Sequence, residues 1–211
     1  FFVNENPNLK VGAIYLEEPA KTTGLGFIAL DNNVPLHELE ETPTMLKGKF
    51  DDSYNKYIES SKIEFVDASF MKLDSKELLY NINYLVTGLG CKILVLDHLT
   101  MVTYDMQGEQ SERKDIDMLM KSLRELVHKT GCSILLVTHL KRPQFGKSWA
   151  EGREINMTDS RGSAAIEQLS DVMIALERNM LNDYEKNKTK IKVINNRVTG
   201  QTGYVDNLFY N

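Results

Sequence analysis

The sequence predicts an α/β fold with a mostly parallel central sheet flanked by helices. Three observations predict it. Short apolar runs recur at residues 11–16, 63–66, 93–96, 134–137, 172–176 and 191–194, most of them apolar at nearly every position, as strands covered on both faces require. Longer helical stretches separate them. Strand, helix, strand alternation implies right-handed crossovers, with functional residues just beyond the carboxyl ends of the strands.

Taken in order, the run 11–16 is the first strand and delivers Glu17 and Glu18 at its end. The run 63–66 is interrupted by Glu64, which argues for an edge position. Residues 75–85 form an amphipathic helix with Leu78, Ile82 and Leu85 on one face, closed by Gly88 and Gly90 before the strand 93–96. Residues 111–129 form a second such helix. Ile116, Leu119, Met120, Leu123, Leu126 and Val127 recur at three- and four-residue spacing, and Glu112, Lys114, Asp115, Lys121 and Arg124 make its wet side. The run 134–137 leads to Thr138 and His139. The runs 172–176 and 191–194 complete the strand set, Lys192 again arguing for an edge, and 190–210 reads as a C-terminal β-hairpin around Gly200 and Gly203.

Composition bounds the function. The 211 residues are 42% hydrophobic and 26% charged, an ordinary globular balance that excludes disordered and low-complexity chains. One domain is the expectation, and a chain of this length removes roughly 70% of its unfolded surface from water, so no disulfide or metal staple is needed. The net charge of −5 excludes a protein that coats nucleic acid or membrane with its whole surface, though not a local basic patch. The sequence has neither an apolar window long enough for a membrane span nor a secretory signal, so an intracellular setting without a membrane partner is expected. Cys91 and Cys132 each precede an apolar run without metal-ligand spacing, and read as buried free thiols or as a redox pair.

The strand ends carry the chemistry. An acid straight after an apolar run costs several kcal/mol to bury without a partner, so Glu17, Glu18 and Asp97 mark strands that emerge at a polar site. Ile-Leu-Val-Leu-Asp at 93–97 has the form of a Walker B segment, whose Asp holds Mg²⁺ beside a nucleotide; a helix cap or a buried ion pair is the other reading. No G-x-x-x-x-G-K-[ST] phosphate loop occurs. Gly146-Lys147-Ser148 is rejected as one, because Pro143 interrupts it and no apolar helix follows. The same loop places Lys141, Arg142, Lys147 and Arg153 within thirteen residues, with Phe145 and Trp149 between them. Such a loop either holds a single-stranded backbone, with rings available to stack bases, or is a solvated surface loop.

Val11-Gly-Ala-Ile-Tyr-Leu-Glu-Glu, Ile93-Leu-Val-Leu-Asp-His-Leu, Leu136-Val-Thr-His-Leu-Lys, the segment from Asp159-Ser-Arg-Gly-Ser to Asp171, Ile174-Ala-Leu-Glu-Arg-Asn and Asn196-Arg-Val-Thr-Gly-Gln-Thr-Gly follow one another in fixed order. In these segments, from about residue 10 to 210, the chain resembles the helicase domain of phage primase-helicases, RecA-like hexameric motors related to bacterial DnaB and mitochondrial Twinkle. The resemblance implies a RecA-like core and a role for each matched residue. Glu17 is then the base that activates the water attacking the γ-phosphate, Asp97 the Mg²⁺ ligand, His139 the γ-phosphate sensor, and Gln168 its companion. Lys141, Arg142 and Lys147 lie in the loop that faces DNA in the central channel. Arg197 is the arginine finger acting on the neighbouring subunit, and Arg178 and Tyr210 sandwich the nucleotide base. ATP or another NTP or dNTP, Mg²⁺, single-stranded DNA, a homo-hexameric ring, a fused or separate primase and a DNA polymerase are the implied cofactors and partners, in the cytoplasm of a phage-infected bacterium.

Two departures stand out: Asn195 occupies the place of a frequent Lys two residues before the finger, and Glu167 stands where a phage relative has a basic residue. The resemblance also places the Walker A strand and helix immediately before residue 11. The chain is therefore expected to be a partial motor domain, with the P-loop strand and helix missing, on the order of 40 residues short, and poorly active by itself. A RecA- or KaiC-like ATPase, or a non-catalytic interaction module, are the rival expectations.

Overall fold

Val11–Tyr15 (β1), Ile63–Asp67 (β2), Ile93–Asp97 (β3) and Ser133–Leu136 (β4) pair in parallel in the order β2-β1-β3-β4. The computed structural model describes residues 2–67, 74–99, 109–162 and 164–209. The chain divides into two compact units, Phe1–Asp115 with Ser122–Thr138, and Ile116–Lys121 with His139–Asn211.

In the first unit, β1 is central because Val11 to Ile14 are buried and Gly12 lets its neighbours close in. A Cβ at Gly12 would stand 2.6 Å from a Leu94 methyl and 2.9 Å from a Leu85 methyl. The register aligns Tyr15 with Asp67 on one side and Asp97 on the other, so the three strands end level. Helices supply each crossover, as parallel pairing demands. Phe2–Glu5 is a short helix (α1) ahead of β1, and the stretch between β1 and β2, legible only as helical, is α2 (Ala20–Asp31), α3 (Leu36–Glu41) and α4 (Gly48–Tyr54), with Pro19 and Pro35 directly before α2 and α3. Ile28 and Ala29 of α2, Leu39 of α3 and Leu46 of the turn Pro43–Leu46 form a buried cluster, and Phe50 of α4 packs against it. Asp31 ties α2 to this layer by accepting hydrogen bonds from the Tyr57 and Ser53 hydroxyls and the Lys56 ammonium. Burial pushes its carboxyl up, but those bonds outweigh it and hold the group below the ordinary range.

Helix α5 (Ser75–Asn83) starts at Asp74, whose carboxylate accepts from the Lys76 and Glu77 N–H groups, and it runs into a π-helical turn, Tyr84–Gly88. Helix α6 (Glu109–Thr130) buries Ile116, Leu119, Met120, Leu123 and Leu126, the predicted stripe, each worth about 1.5–3 kcal/mol. Glu64 lies on an edge strand, β2, as expected, and pairs with Lys10 at 3.9 Å. Strand β4 departs from the two-faced burial its sequence predicts: Leu135 is 58% exposed. Among the described residues it is the other edge of this sheet, paired with β3.

The second unit corrects the reading of the last strands. Val172–Arg178 (β5), Lys188–Asn196 (β6) and Gly203–Phe209 (β7) form a separate antiparallel sheet, so 172–176 is not a parallel strand. The connection of nine residues, 179–187, is too short for a helical crossover and forces reversal. The predicted hairpin is β6-β7. Lys192 does not mark an edge, since β6 is the middle strand. Its ammonium donates to the Glu154 carboxylate and the Ile155 carbonyl and lies 5.5 Å from the Tyr204 ring centroid, so the charge is partnered.

Cys91 and Cys132 are buried free thiols, and burial pushes the Cys91 thiol up to about 11. Among the described residues no helix is long and apolar enough to cross a membrane.

Candidate functional site

Glu17 and Asp97 come together at the carboxyl edge of the parallel sheet. Asp97 closes β3, and its backbone carbonyl accepts the Leu16 N–H across the strand pair at 2.6 Å, so Glu17 emerges beside it. His98, next after Asp97, is 3% exposed, and its Nε2–H donates to Glu17 Oε1 at 2.7 Å. The Glu17 side chain is otherwise 57% exposed: a carboxylate held at its tip and open to solvent along its length. Glu18 is used differently, accepting the buried Thr23 hydroxyl at 2.7 Å in the first turn of α2. Burial, then the negative charges of Asp97 and Glu18, push the Tyr15 phenol up. Carboxylate oxygens at such an edge are hard donors of the kind Mg²⁺ takes, which fits Asp97 as its holder.

His98 is the residue that sequence reasoning left without a role. The contact joins positions 81 apart and no spacing rule could find it; its place next to an acid at a strand end was the available signal.

The other candidates lie in the second unit. The exposed His139 accepts the Arg161 N–H on its carbonyl at 2.7 Å, and the Lys141 N–H donates to the Asp159 carbonyl at 2.8 Å. This short antiparallel contact, with the Leu140–Ser160 bridge inside it, lays Asp159-Ser-Arg-Gly alongside His139 to Lys141. Gly162 takes a φ of +117°, and a Cβ there would meet the Ile116 and Ile166 methyls at 3.0 and 3.1 Å, so the turn into α7 (Ala164–Leu169) requires glycine. Gln168 is exposed on α7, and Glu167, beside it, is half-buried.

The basic loop is structured by its own side chains. Lys141 donates its ammonium to the Thr158 carbonyl, while Arg142 and Lys147 are exposed. Gly146 ends a bend over residues 144–146, and Lys147-Ser148 continue as irregular chain with no helix behind them, in keeping with the rejection of a phosphate loop here. The far end of the loop is clamped by the buried Glu177, which accepts the Ile155 N–H and the Tyr204 hydroxyl, both at 2.8 Å. That bond, burial and the Glu177 charge push the Tyr204 phenol up to about 12.

Arg178 ends β5 and donates Nε–H to the Lys186 carbonyl across the β5–β6 connection. Arg197 follows β6, with its N–H on the Asp171 carbonyl and its side chain exposed. Asn196 fixes the turn that carries it: its amide oxygen accepts the Val198 and Thr199 N–H groups and its amide nitrogen donates to the Thr199 hydroxyl. Asn195 lies at the end of β6. Tyr210 lies outside the described residues.

Comparison with known proteins bears on the family and the fold. The sequence pattern of the DnaB-like helicase C terminal domain matches residues 2–211. A DNA helicase/primase of Enterobacteria phage T3 is 37% identical over 204 residues, which cover 96% of this chain and 36% of the phage protein, so the chain spans about a third of that relative's length. Among solved structures, an isolated ATPase domain superposes with a TM-score of 0.73 at 16% identity, covering 98% of this chain and 76% of that one. A DnaB-like replicative helicase, solved in work that describes its interactions with primase, superposes with a TM-score of 0.74 at 17% identity, covering 98% and 49%. A KaiC-like protein of Pyrococcus horikoshii follows at 0.58 and 17% identity, covering 99% and 79%. These likenesses bear out the RecA-like fold, and the match along nearly the whole sequence settles the family: the chain belongs to the DnaB-like helicase C-terminal domains.

Proposed function

We propose that residues 1–211 are part of the motor domain of a ring-shaped replicative DNA helicase, which couples Mg²⁺-dependent NTP hydrolysis between subunits to movement along single-stranded DNA. The observation that carries this is the pairing of Glu17 and Asp97 at one sheet edge, with His98 fixing the Glu17 carboxylate. Glu17 orients water and takes its proton, a task that needs a positioned, solvent-reachable carboxylate. Asp97 holds Mg²⁺, which when bound neutralises charge on the phosphates. Arg197, on its stiffened turn, stabilises negative charge on the phosphoryl group of the neighbouring subunit's substrate, and Arg178 with Tyr210 holds the base. His139 and Gln168 sense the γ-phosphate, and Arg142 and Lys147, with Lys141, neutralise DNA phosphates. The chain holds no phosphate-loop motif, so by itself it binds nucleotide weakly. A primase, fused or separate, a DNA polymerase and a cytoplasmic setting in an infected bacterium belong to the same reading; the phage T3 relative, a helicase/primase, supports the first.

The test is strand displacement from a forked duplex by the full gene product with Mg²⁺ and NTP. Displacement is expected from the wild type. Arg197→Ala is expected to abolish it and to lower hydrolysis by about 10³-fold or more, the scale of a finger supplied in trans, with nucleotide affinity largely kept. Strand pairing without displacement would point to a recombinase-like task instead, and loss of nucleotide binding in the variant would remove the finger assignment.

A further inference from the structure

The basic loop carries two rings, and the fold gives them different jobs. Trp149 is half-buried: its indole N–H donates to the Lys141 carbonyl at 2.8 Å and the Arg153 guanidinium covers its face at 5.0 Å from the ring centroid. Arg153 also donates to the Phe145 carbonyl at 2.9 Å, and the Ser148 N–H donates to the Glu151 carboxylate at 2.7 Å, which lowers that carboxyl's pKa. Trp149 and Arg153 are thereby used up in shaping the loop. Phe145 is held by its backbone, while its ring is 86% exposed.

A phenylalanine ring left in water at a fixed point of a loop that also presents Arg142 and Lys147 offers a flat apolar face beside two cations. Those cations attract phosphates and carry no information about bases. In a duplex the base faces are already stacked on one another, so an exposed ring finds a flat π-partner only where bases are unpaired. Stacking of this kind is tolerant of sequence, because every base has such a face, and the phenyl ring has no hydrogen-bonding group with which to choose among them.

We propose that Phe145 stacks on a nucleobase of single-stranded DNA whose phosphates are held by Arg142 and Lys147, so that the loop grips base and backbone together. This inference rests on the helicase reading above. It adds a base contact to the phosphate contacts which that reading needs.

The experiment compares binding of the full gene product, with Mg²⁺ and a non-hydrolysable NTP analogue, to a thymidine oligomer and to an abasic phosphodiester of the same length. The wild type is expected to prefer the thymidine oligomer by about tenfold, the scale of one lost base–ring stack. Phe145→Ala and Phe145→Leu are expected to lose that preference and to bind the abasic oligomer as the wild type does, while Phe145→Trp keeps it. Lys147→Ala is expected to weaken both oligomers alike and to flatten the salt dependence. A base preference untouched by Phe145→Ala, or equal weakening toward both oligomers, overturns the stacking role; equal weakening would place the ring in a protein contact. Failure of the wild type to bind either oligomer overturns the helicase reading as well.

Discussion

Glu17 and Glu18 are neighbours in sequence and part company in the fold. Glu18 takes the Thr23 hydroxyl and becomes part of the start of α2, whereas Glu17 is met from the next strand by His98. Acids ending apolar runs were legible as chemistry because burial without a partner is costly, which singled out Glu17, Glu18 and Asp97 together. The resemblance chose Glu17 over Glu18 from the sequence; what the structure adds is the His98 contact, which crosses from the end of β1 to the end of β3. With Glu17 as the proposed base, the hydrogen bond gives His98 a positioning role, and hydrogen-bonding partners of metal ligands, which act in the same way, change activity about 10–100-fold. His98→Leu is therefore expected to lower kcat about 10–100-fold with little change in KM for NTP, and His98→Gln, which keeps a donor, to recover part of the loss. Steady-state kinetics of the two variants check this; equal rates in both and the wild type would leave Glu17 oriented by something else.

Among the elements, those written in long periodic patterns were legible and those decided by partners were not. Helix α6 and its buried stripe followed from three- and four-residue spacing. The direction of β5 did not, because Val172, Ile174 and Leu176 are as apolar as a parallel strand's residues, and only the length of the chain leading to β6 decides the pairing. Lys192 misled for a related reason: Glu154 and the Ile155 carbonyl, which satisfy it in mid-sheet, sit far back in the sequence. The central position of β1 rests on a single missing side chain. With Leu94 and Leu85 methyls at 2.6 and 2.9 Å from where a Cβ would stand, Gly12→Ala overpacks the joint between β1 and its neighbours. The expected cost is about 1–3 kcal/mol, read as a lower denaturant midpoint with an unchanged slope. An unchanged midpoint would mean that both leucines yield freely.

At the scale of the whole molecule, the net charge of −5 is a poor guide to partners because it averages over the basic loop. A ring reading changes its meaning, since each subunit repeats the same loop. The candidate residues divide between the two units: Glu17 and Asp97 in the first, Arg178 and Arg197 in the second. On the function proposed above, Arg197 acts on a neighbouring subunit and hydrolysis depends on assembly. The order of the six matched segments made the family legible from sequence, while the loop's internal bracing by Trp149 and Arg153 was not, since both residues read equally well as ligand contacts. On the proposed function, this edge of the sheet hydrolyses NTP with Glu17 as base. Its most direct test is Mg²⁺-dependent NTP hydrolysis by the full gene product, with and without single-stranded DNA, beside Glu17→Gln. Hydrolysis stimulated by DNA is expected in the wild type and a loss of about 10²–10⁴-fold in the variant, with nucleotide affinity retained; a Glu17→Gln protein that hydrolyses at the wild-type rate would rule out Glu17 as the base.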